Sequence, residues 1–222
     1  MAVLSWLYQR WSRPADVVAL HWARVCVGLL IVVEMARFAY SDWVLDSLVA
    51  PPFHFTYEGF HWVKPLGEVG MMAVIAAIAL FGLGVIFSSW YRLCSLLCGV
   101  GLLYIFLIDK THYLNHMYFL VWVCILFAAV RSSRHQFGHQ WMIDLARFQV
   151  AVVYVFGGIA KINTDWIEGR PMLHWMDQRR DWPYVGDFIA WDPFAMGIAW
   201  GGIAFDLLVI PALLWRRTRW LA

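Results

Sequence analysis

The stretch LGEVGMMAVIAAIALFGLGVIF, residues 66–87, decides the class of this protein. Glu68 is its one charged side chain, and apolar residues fall on every face of the helix that it would form. A helix needs about 20 mostly apolar residues to cross roughly 30 Å of hydrocarbon. The stretch therefore predicts a transmembrane helix.

Five further stretches have the same character. None shows the strict alternation of a barrel strand, so all are predicted as helices. They cover residues 19–39, 93–108, 113–130, 144–163 and 195–215. We predict an all-α, polytopic transmembrane bundle of about six spans, which forms a single membrane domain over residues 1–222.

The composition of the whole chain supports a membrane protein. Of 222 residues, 62% are hydrophobic and 14% are charged, whereas soluble domains have roughly 45–50% and about 25%. This excludes a soluble enzyme and a disordered chain. A net charge of +2 provides no basic surface for nucleic acid. The four cysteines all fall inside predicted spans and indicate no disulfide framework.

Lysines and arginines predict the orientation, because cytoplasmic loops carry an excess of them. With the N-terminus in the cytoplasm, the inner side holds Arg10, Arg13, Arg92, Arg131, Arg134, Arg216, Arg217 and Arg219. The outer side then holds Lys64, Lys110, Lys161, Arg170, Arg179 and Arg180. We therefore predict that both termini are cytoplasmic. Trp6, Tyr8 and Trp11 near the N-terminus are typical of a helix that lies in the headgroup layer.

Two outer loops are long and rich in aromatic residues. They are Pro51–Pro65, PPFHFTYEGFHWVKP, and Asn163–Pro193, which contains four tryptophans. Long loops in compact proteins tend to be functional or disordered, and these are too aromatic for disorder. We expect them to contribute to a functional site.

Ionisable groups inside spans are costly and therefore point to function. Glu34 and Arg37 are one helical turn apart and are predicted to form an internal ion pair. Arg147 is close enough to the inner end of its span to reach the headgroups. Asp206 has no cation near it in sequence, so it needs a partner from another helix or a raised pKa.

A first polar cluster joins the third and fourth predicted spans, in the sequence LIDKTHYLNHMYF at residues 107–119. Its polar residues are Asp109, Lys110, His112, Asn115 and His116. A loop is where polar residues belong, so their position alone does not indicate function. The two histidines can share a helix face, but without a third ligand they predict no metal site.

A second cluster lies in YVFGGIAKINTDWIEGRPM, residues 154–172. Gly157 and Gly158 would let another helix or a ligand approach closely. Lys161 follows an almost wholly apolar run, and burial there would favour a neutral amine that acts as a general base. Alternatively, Asp165, four residues further on, pairs with the lysine, which would then be structural or anion-binding. A lysine that extends its amine to the headgroups is the commoner outcome on the residues alone, which leave these possibilities open.

These clusters resemble the vitamin K-dependent gamma-carboxylase family, including its bacterial horizontally transferred transmembrane (HTTM) domain proteins. The resemblance extends over residues 51–215. Besides the two clusters, it rests on YRLC at residues 91–94 and GGIAFDLL at residues 201–208.

The resemblance implies a reaction. In the family, a lysine takes a proton from vitamin K hydroquinone, whose reaction with O2 then drives the carboxylation of peptidyl glutamate by CO2. The products are γ-carboxyglutamate and vitamin K epoxide. Lys161 occupies the position of the catalytic lysine. Asn115 and His116 occupy positions that hold or polarise the quinone oxygens.

The other motif residues inherit less specific roles from the resemblance. Lipid-soluble quinone is the expected cofactor, with O2 and CO2 as co-substrates and no metal. The residues expected to shape the pocket or bind the cofactor are Gly157, Gly158, Asp165, Trp166, Glu168 and Gly169, with Asp109, Lys110 and Asp206 as further candidates.

The chain departs from the family in its length. Members extend well beyond residue 222, so the chain corresponds to their N-terminal membrane half, and activity is expected to need the remaining part. The predicted location is the inner membrane of a bacterium, with lipid, quinone and a glutamate-containing peptide as partners. The alternatives are a non-catalytic module that binds quinone or assembles with a partner, and, less favoured, a transporter.

Overall fold

The computed structural model describes residues 2–131, 137–215 and 217–218. Within these residues, five helices are long and apolar enough to cross a membrane, so the chain is an integral membrane protein. The elements in chain order are α1 (Ala2–Trp11), β1 (Pro14–Asp16), α2 (Val18–Tyr40), α3 (Gly67–Phe87), α4 (Tyr91–Ile108), α5 (Asn115–Ala129), β2 (Phe137–His139), α6 (Gln140–Ala160), α7 (Thr164–Ile167), α8 (Arg170–Asp177), α9 (Gly186–Ile189) and α10 (Asp192–Leu214).

The predicted all-α, polytopic bundle is confirmed, and a helix occupies each of the six predicted spans. Helix α5 is the short one. Its 15 residues cover about 22 Å at 1.5 Å per residue, which is less than the hydrocarbon thickness. It begins at the polar Asn115 and ends before Val130, whose backbone is extended.

The chain divides into two compact units, Met1–Ala146 and Arg147–Ala222, and each is described by itself. The single membrane domain over residues 1–222 stays a prediction. In the first unit, α2 packs on α3, α3 on α4 and α4 on α5. Their apolar faces form the larger of two buried clusters among the described residues, whose fully buried members include Ile31, Met35, Phe38, Met71, Ile78 and Leu102.

Polar contacts also occur within and between the helices of the first unit. Glu34 and Arg37 form the predicted ion pair, with nitrogen–oxygen distances of 2.5 and 3.0 Å. Arg24 is buried, donates to the carbonyl of Val85 and lies 4.3 Å from the centre of the Tyr91 ring. The two arginines of the first predicted span, Arg24 and Arg37, therefore both have partners within the protein.

The second unit contains the end of α6 and the helices α7 to α10. Helix α10 contacts α7, α8 and α9. The segment Asn163–Pro193 was expected to be an irregular loop, but much of it is helical, because Asn163 caps α7 and Pro171 lies in the first turn of α8. Of the charges used to predict orientation, Arg134, Arg216 and Arg219 lie outside the described residues.

Candidate functional site: the Lys161–Asp206 pair

Lys161 follows directly after the last residue of α6. Its ammonium forms an ion pair and a hydrogen bond with Oδ2 of Asp206 in the middle of α10. The side chains retain 26% and 15% of their exposure. Asp206 has no cation near it in sequence, and it pairs with a lysine from outside its own helix. The amine of Lys161 is partly shielded but still accessible to a ligand.

Two glycines allow α10 to approach the end of α6. A Cβ atom at Gly158 would come within 2.7 Å of the Leu207 side chain. One at Gly157 would lie 3.4 Å from Oδ2 of Asp206. Small residues permit close helix packing in membranes, and here they bring Asp206 within reach of Lys161.

The ring of Trp166 also lies against the Lys161 amine. Its centre lies 5.4 Å from Nζ of Lys161, within the range of a cation–π interaction. The position of Trp166 depends on Asn163, whose side chain accepts a hydrogen bond from the Trp166 amide (3.1 Å) and donates one to the Ala160 carbonyl (2.8 Å). Asn163 was not among the predicted site residues, although an asparagine before TDWI is a recognisable N-cap signal.

Asp165 does not pair with Lys161. It lies 3.1 Å from Arg170, which also binds Glu168 at 2.5 Å, and all three side chains are exposed. Of the alternatives that the sequence left open, the Lys161–Asp165 pair is not formed, because pairing at a spacing of four requires a continuous helix. Helix α6 ends at Ala160, and Asn163 has an extended backbone.

Gly169 connects α7 to α8 in a conformation that favours glycine. Its φ is +72°, and a Cβ atom there would come within 3.0 Å of Met196 on α10. The indole of Trp200 donates to the Ile167 carbonyl at 2.8 Å and ties the same turn to α10. The end of α6, the short helices and α10 are thus held together around the Lys161–Asp206 pair.

The first polar cluster belongs to the other unit, and Asp109 is its centre. Its carboxylate is only 6% exposed and accepts from the amide and hydroxyl of Thr111, at 2.9 and 2.8 Å. His54 lies 3.3 Å away. Burial by itself would raise the pKa of Asp109, but the hydrogen bonds from Thr111, His54 and the Phe55 backbone outweigh it and lower the pKa.

Near Asp109, a backbone hydrogen bond holds the loop at residues 51–65 against the connection between α4 and α5. The amide of Lys110 donates to the Phe55 carbonyl at 2.8 Å. His112 packs edge-on against Trp43, with ring centres 5.6 Å apart. The predicted candidates Asp109 and Lys110 thus both take part in fixing this loop.

Asn115 and His116 are exposed in the first turn of α5. His116 lies within electrostatic range of Glu34, the partner of Arg37 on α2. Glu34 was predicted only as part of an ion pair, and no local sequence signal connects it with a histidine 82 positions away. Among the described residues, no group of three or more His, Cys, Asp or Glu side chains could hold a metal ion.

These observations define a polytopic helical membrane protein with a lysine–aspartate pair at the end of a span. The chain matches the HTTM domain family over residues 12–222 and belongs to that family. The HTTM domain is the membrane domain of the vitamin K-dependent carboxylase family. No solved structure matches the chain.

Proposed function

We propose that this protein is a vitamin K-dependent carboxylase-like membrane enzyme in which Lys161 accepts a proton from a reduced quinone. The observation that carries the proposal is the pairing of Lys161 with Asp206 at the end of α6. A lysine with a carboxylate partner and partial exposure has both a place to send a proton and room for a ligand. The family membership supports the choice of reaction.

The residues near Lys161 fit a reduced quinone. A quinol presents hydroxyl groups on a flat apolar ring, which requires one polar acceptor beside apolar and aromatic walls. Nζ of Lys161 is such an acceptor when it is neutral, and Trp166 supplies a ring close to it. Phe156, Ile159 and Ile162 are exposed apolar side chains on the same segment, which suits a ligand that arrives from the lipid.

In this proposal, Asp206 takes the proton that Lys161 must lose before the lysine can act as a base. When the proton of the hydrogen bond between Nζ and Oδ2 is held on Oδ2, the amine has a free lone pair for a quinol hydroxyl. The reduced quinone, together with O2, supplies the oxidative chemistry that drives the carboxylation of peptidyl glutamate by CO2. Trp166 and the close approach of α10 at Gly158 limit the access of water to the amine.

The other residues of the proposal have supporting roles. The family resemblance gives Asn115 and His116 the role of hydrogen-bond donors to quinone oxygens, and both side chains are exposed at the start of α5. Asp165 and Glu168 shape the site through Arg170. We place the protein in a bacterial inner membrane with a cytoplasmic N-terminus, and the acceptor of the carboxyl group is a glutamate-containing peptide or protein.

The test is reconstitution of the purified protein with vitamin K hydroquinone, bicarbonate and a glutamate peptide. Removal of a general base typically costs 10²–10⁴-fold in rate, so we expect Lys161→Ala to lower epoxide formation by about that factor. Lys64→Ala is the matched control, because Lys64 is an exposed loop lysine outside the site. Unchanged epoxide formation in Lys161→Ala would remove this lysine from the mechanism.

The same ion pair supports a second function, a membrane module that binds quinone without transforming it. Asp206 neutralises Lys161, so the pair can also serve only to join α6 and α10. Binding of quinone by the wild-type protein without oxygen uptake would favour this function. Oxygen uptake that depends on Lys161 would exclude it.

A further inference from the structure

A second feature of the unit Arg147–Ala222 lies away from Lys161. It is a groove of about 460 Å³ formed by α8, the segment that follows it, α9 and α10. Its apolar wall includes Met172, Trp175, Met176, Trp182, Phe194 and Ile198. Apolar ligand sites typically enclose about 300–1,000 Å³, so the groove has room for a sizeable apolar group.

Arg179 is the charged residue that lines this groove. Its guanidinium donates to the Trp175 carbonyl at 2.5 Å and lies 5.6 Å from the centre of the Trp182 ring. The described residues give it no carboxylate partner, whereas the adjacent Arg180 binds Asp177 at 2.9 Å. Arg179 is therefore a half-buried cation without a counter-charge at an apolar surface.

We propose that this groove binds an anionic phospholipid, with an acyl chain along the apolar wall and the phosphate on Arg179. The planar guanidinium suits bidentate binding of phosphate. Tryptophans are enriched at the depth where headgroups meet acyl chains, and Trp175 and Trp182 flank Arg179. Charge complementarity selects an anionic lipid over a zwitterionic one, because the groove contributes a positive charge and no negative one.

The site has a physical connection with the Lys161 pair. Trp175 contacts Trp166 edge-on, with ring centres 6.3 Å apart, and Trp166 covers the Lys161 amine. A lipid in the groove would therefore touch Trp175, the ring that packs against Trp166. The proposal concerns lipid binding alone and does not depend on carboxylase activity.

The experiment measures lipid binding by the purified full chain in detergent. Phosphatidylglycerol and phosphatidylcholine with identical acyl chains are titrated, and native mass spectrometry counts the bound lipid. We expect the wild type to prefer phosphatidylglycerol and Arg179→Gln to weaken its binding at least tenfold. Arg180→Gln is the matched control and should keep the preference, and Arg179→Lys should restore part of it.

Other outcomes would overturn the proposal. Equal binding of the two lipids by the wild type would exclude selection by charge. A preference that persists in Arg179→Gln would place the lipid elsewhere. Displacement of the lipid by soluble glycerol phosphate would show that the apolar groove is not needed. Displacement by a glutamate-containing peptide would assign the groove to an acidic peptide.

Ile198→Trp provides a second variant, which leaves Arg179 in place. The larger side chain should fill the groove and lower the number of bound phosphatidylglycerol molecules without altering the charge. An unchanged number of bound lipids in a folded Ile198→Trp protein would contradict the proposed path of the acyl chain.

Discussion

Asp109 and Asp206 are two shielded carboxylates in two different units, and their surroundings differ. Asp109 is 6% exposed and accepts from neighbouring backbone and side-chain donors. Asp206 is 15% exposed and pairs with one flexible group, the ammonium of Lys161. The oxygens of Asp109 accept hydrogen bonds from neighbouring groups that are held in place. Asp206 instead shares a proton with Lys161, whose amine a ligand can reach.

Under the proposed function, this difference separates a structural role from a chemical one. A buried carboxylate is costly unless hydrogen bonds compensate for lost water, and those on Asp109 also fasten a long loop. Lys161 retains 26% exposure and a single carboxylate partner. We therefore expect substitutions at Asp109 to affect stability and substitutions at the Lys161–Asp206 pair to affect turnover.

After Lys161→Ala, Asp206→Asn should have the largest effect, a loss of about 10²-fold in epoxide formation, which is the lower range for removal of a group that handles protons. An amide cannot hold the proton that Lys161 must release. The assay is the reconstituted reaction. Asp192→Asn, in the exposed first turn of the same helix, is the control. Full activity in Asp206→Asn would mean that the carboxylate only joins the helices.

Asp109→Asn should lower the free energy of unfolding by roughly 1–3 kcal/mol, because buried donors lose a charged acceptor. Thermal denaturation in detergent measures the change. The exposed Asp46 provides the control, and Asp46→Asn should stay within about 0.5 kcal/mol of the wild type. If both variants melt like the wild type, Asp109 does not stabilise the loop.

The stabilisation by Asp109 should also depend on pH. Its pKa in the folded protein lies below the ordinary value, which is about 3.9. The carboxylate therefore stabilises the fold above that pH, and the stabilisation is lost as the pH falls through the lowered pKa. The difference in melting temperature between wild type and Asp109→Asn should be constant from pH 7 to pH 5 and shrink below about pH 4. A difference that already disappears near pH 6 would implicate another group.

Gly158→Ala should have the smallest effect, a destabilisation of about 1 kcal/mol, at the low end of overpacking costs. The added methyl group would meet the Leu207 side chain at 2.7 Å. Gly202→Ala on α10 is the matched control, since a Cβ atom there has no neighbour within 4 Å. Comparable melting temperatures for the two variants would show that α10 is not closely packed at Gly158.

The spans could be predicted from the sequence because hydropathy is a local property. Residues 66–87 were predicted as a span, and α3 is Gly67–Phe87. The helices of Asn163–Pro193 were missed because aromatic and charged residues obscure their short apolar patterns. The start of α7 depends on capping by Asn163 rather than on hydropathy.

The site could be predicted only in part. Lys161 and Asp206 each stood out as charges in apolar surroundings, but their pairing is a contact between residues 45 positions apart. The sequence offered Asp165 as a possible partner because a spacing of four is meaningful within a helix, and the end of α6 removes that relation. The fastening of Phe55 to Lys110 is equally non-local.

The most direct test is to measure epoxide formation per folded molecule for Lys161→Ala and Asp109→Asn side by side. We expect Lys161→Ala to keep its fold and lose at least 10²-fold in rate, the typical contribution of a general base. Asp109→Asn should have a lower melting temperature than the wild type but form epoxide at the wild-type rate per folded molecule. The opposite pattern, an active Lys161→Ala protein and a folded but inactive Asp109→Asn protein, would contradict the assignment of chemistry to Lys161.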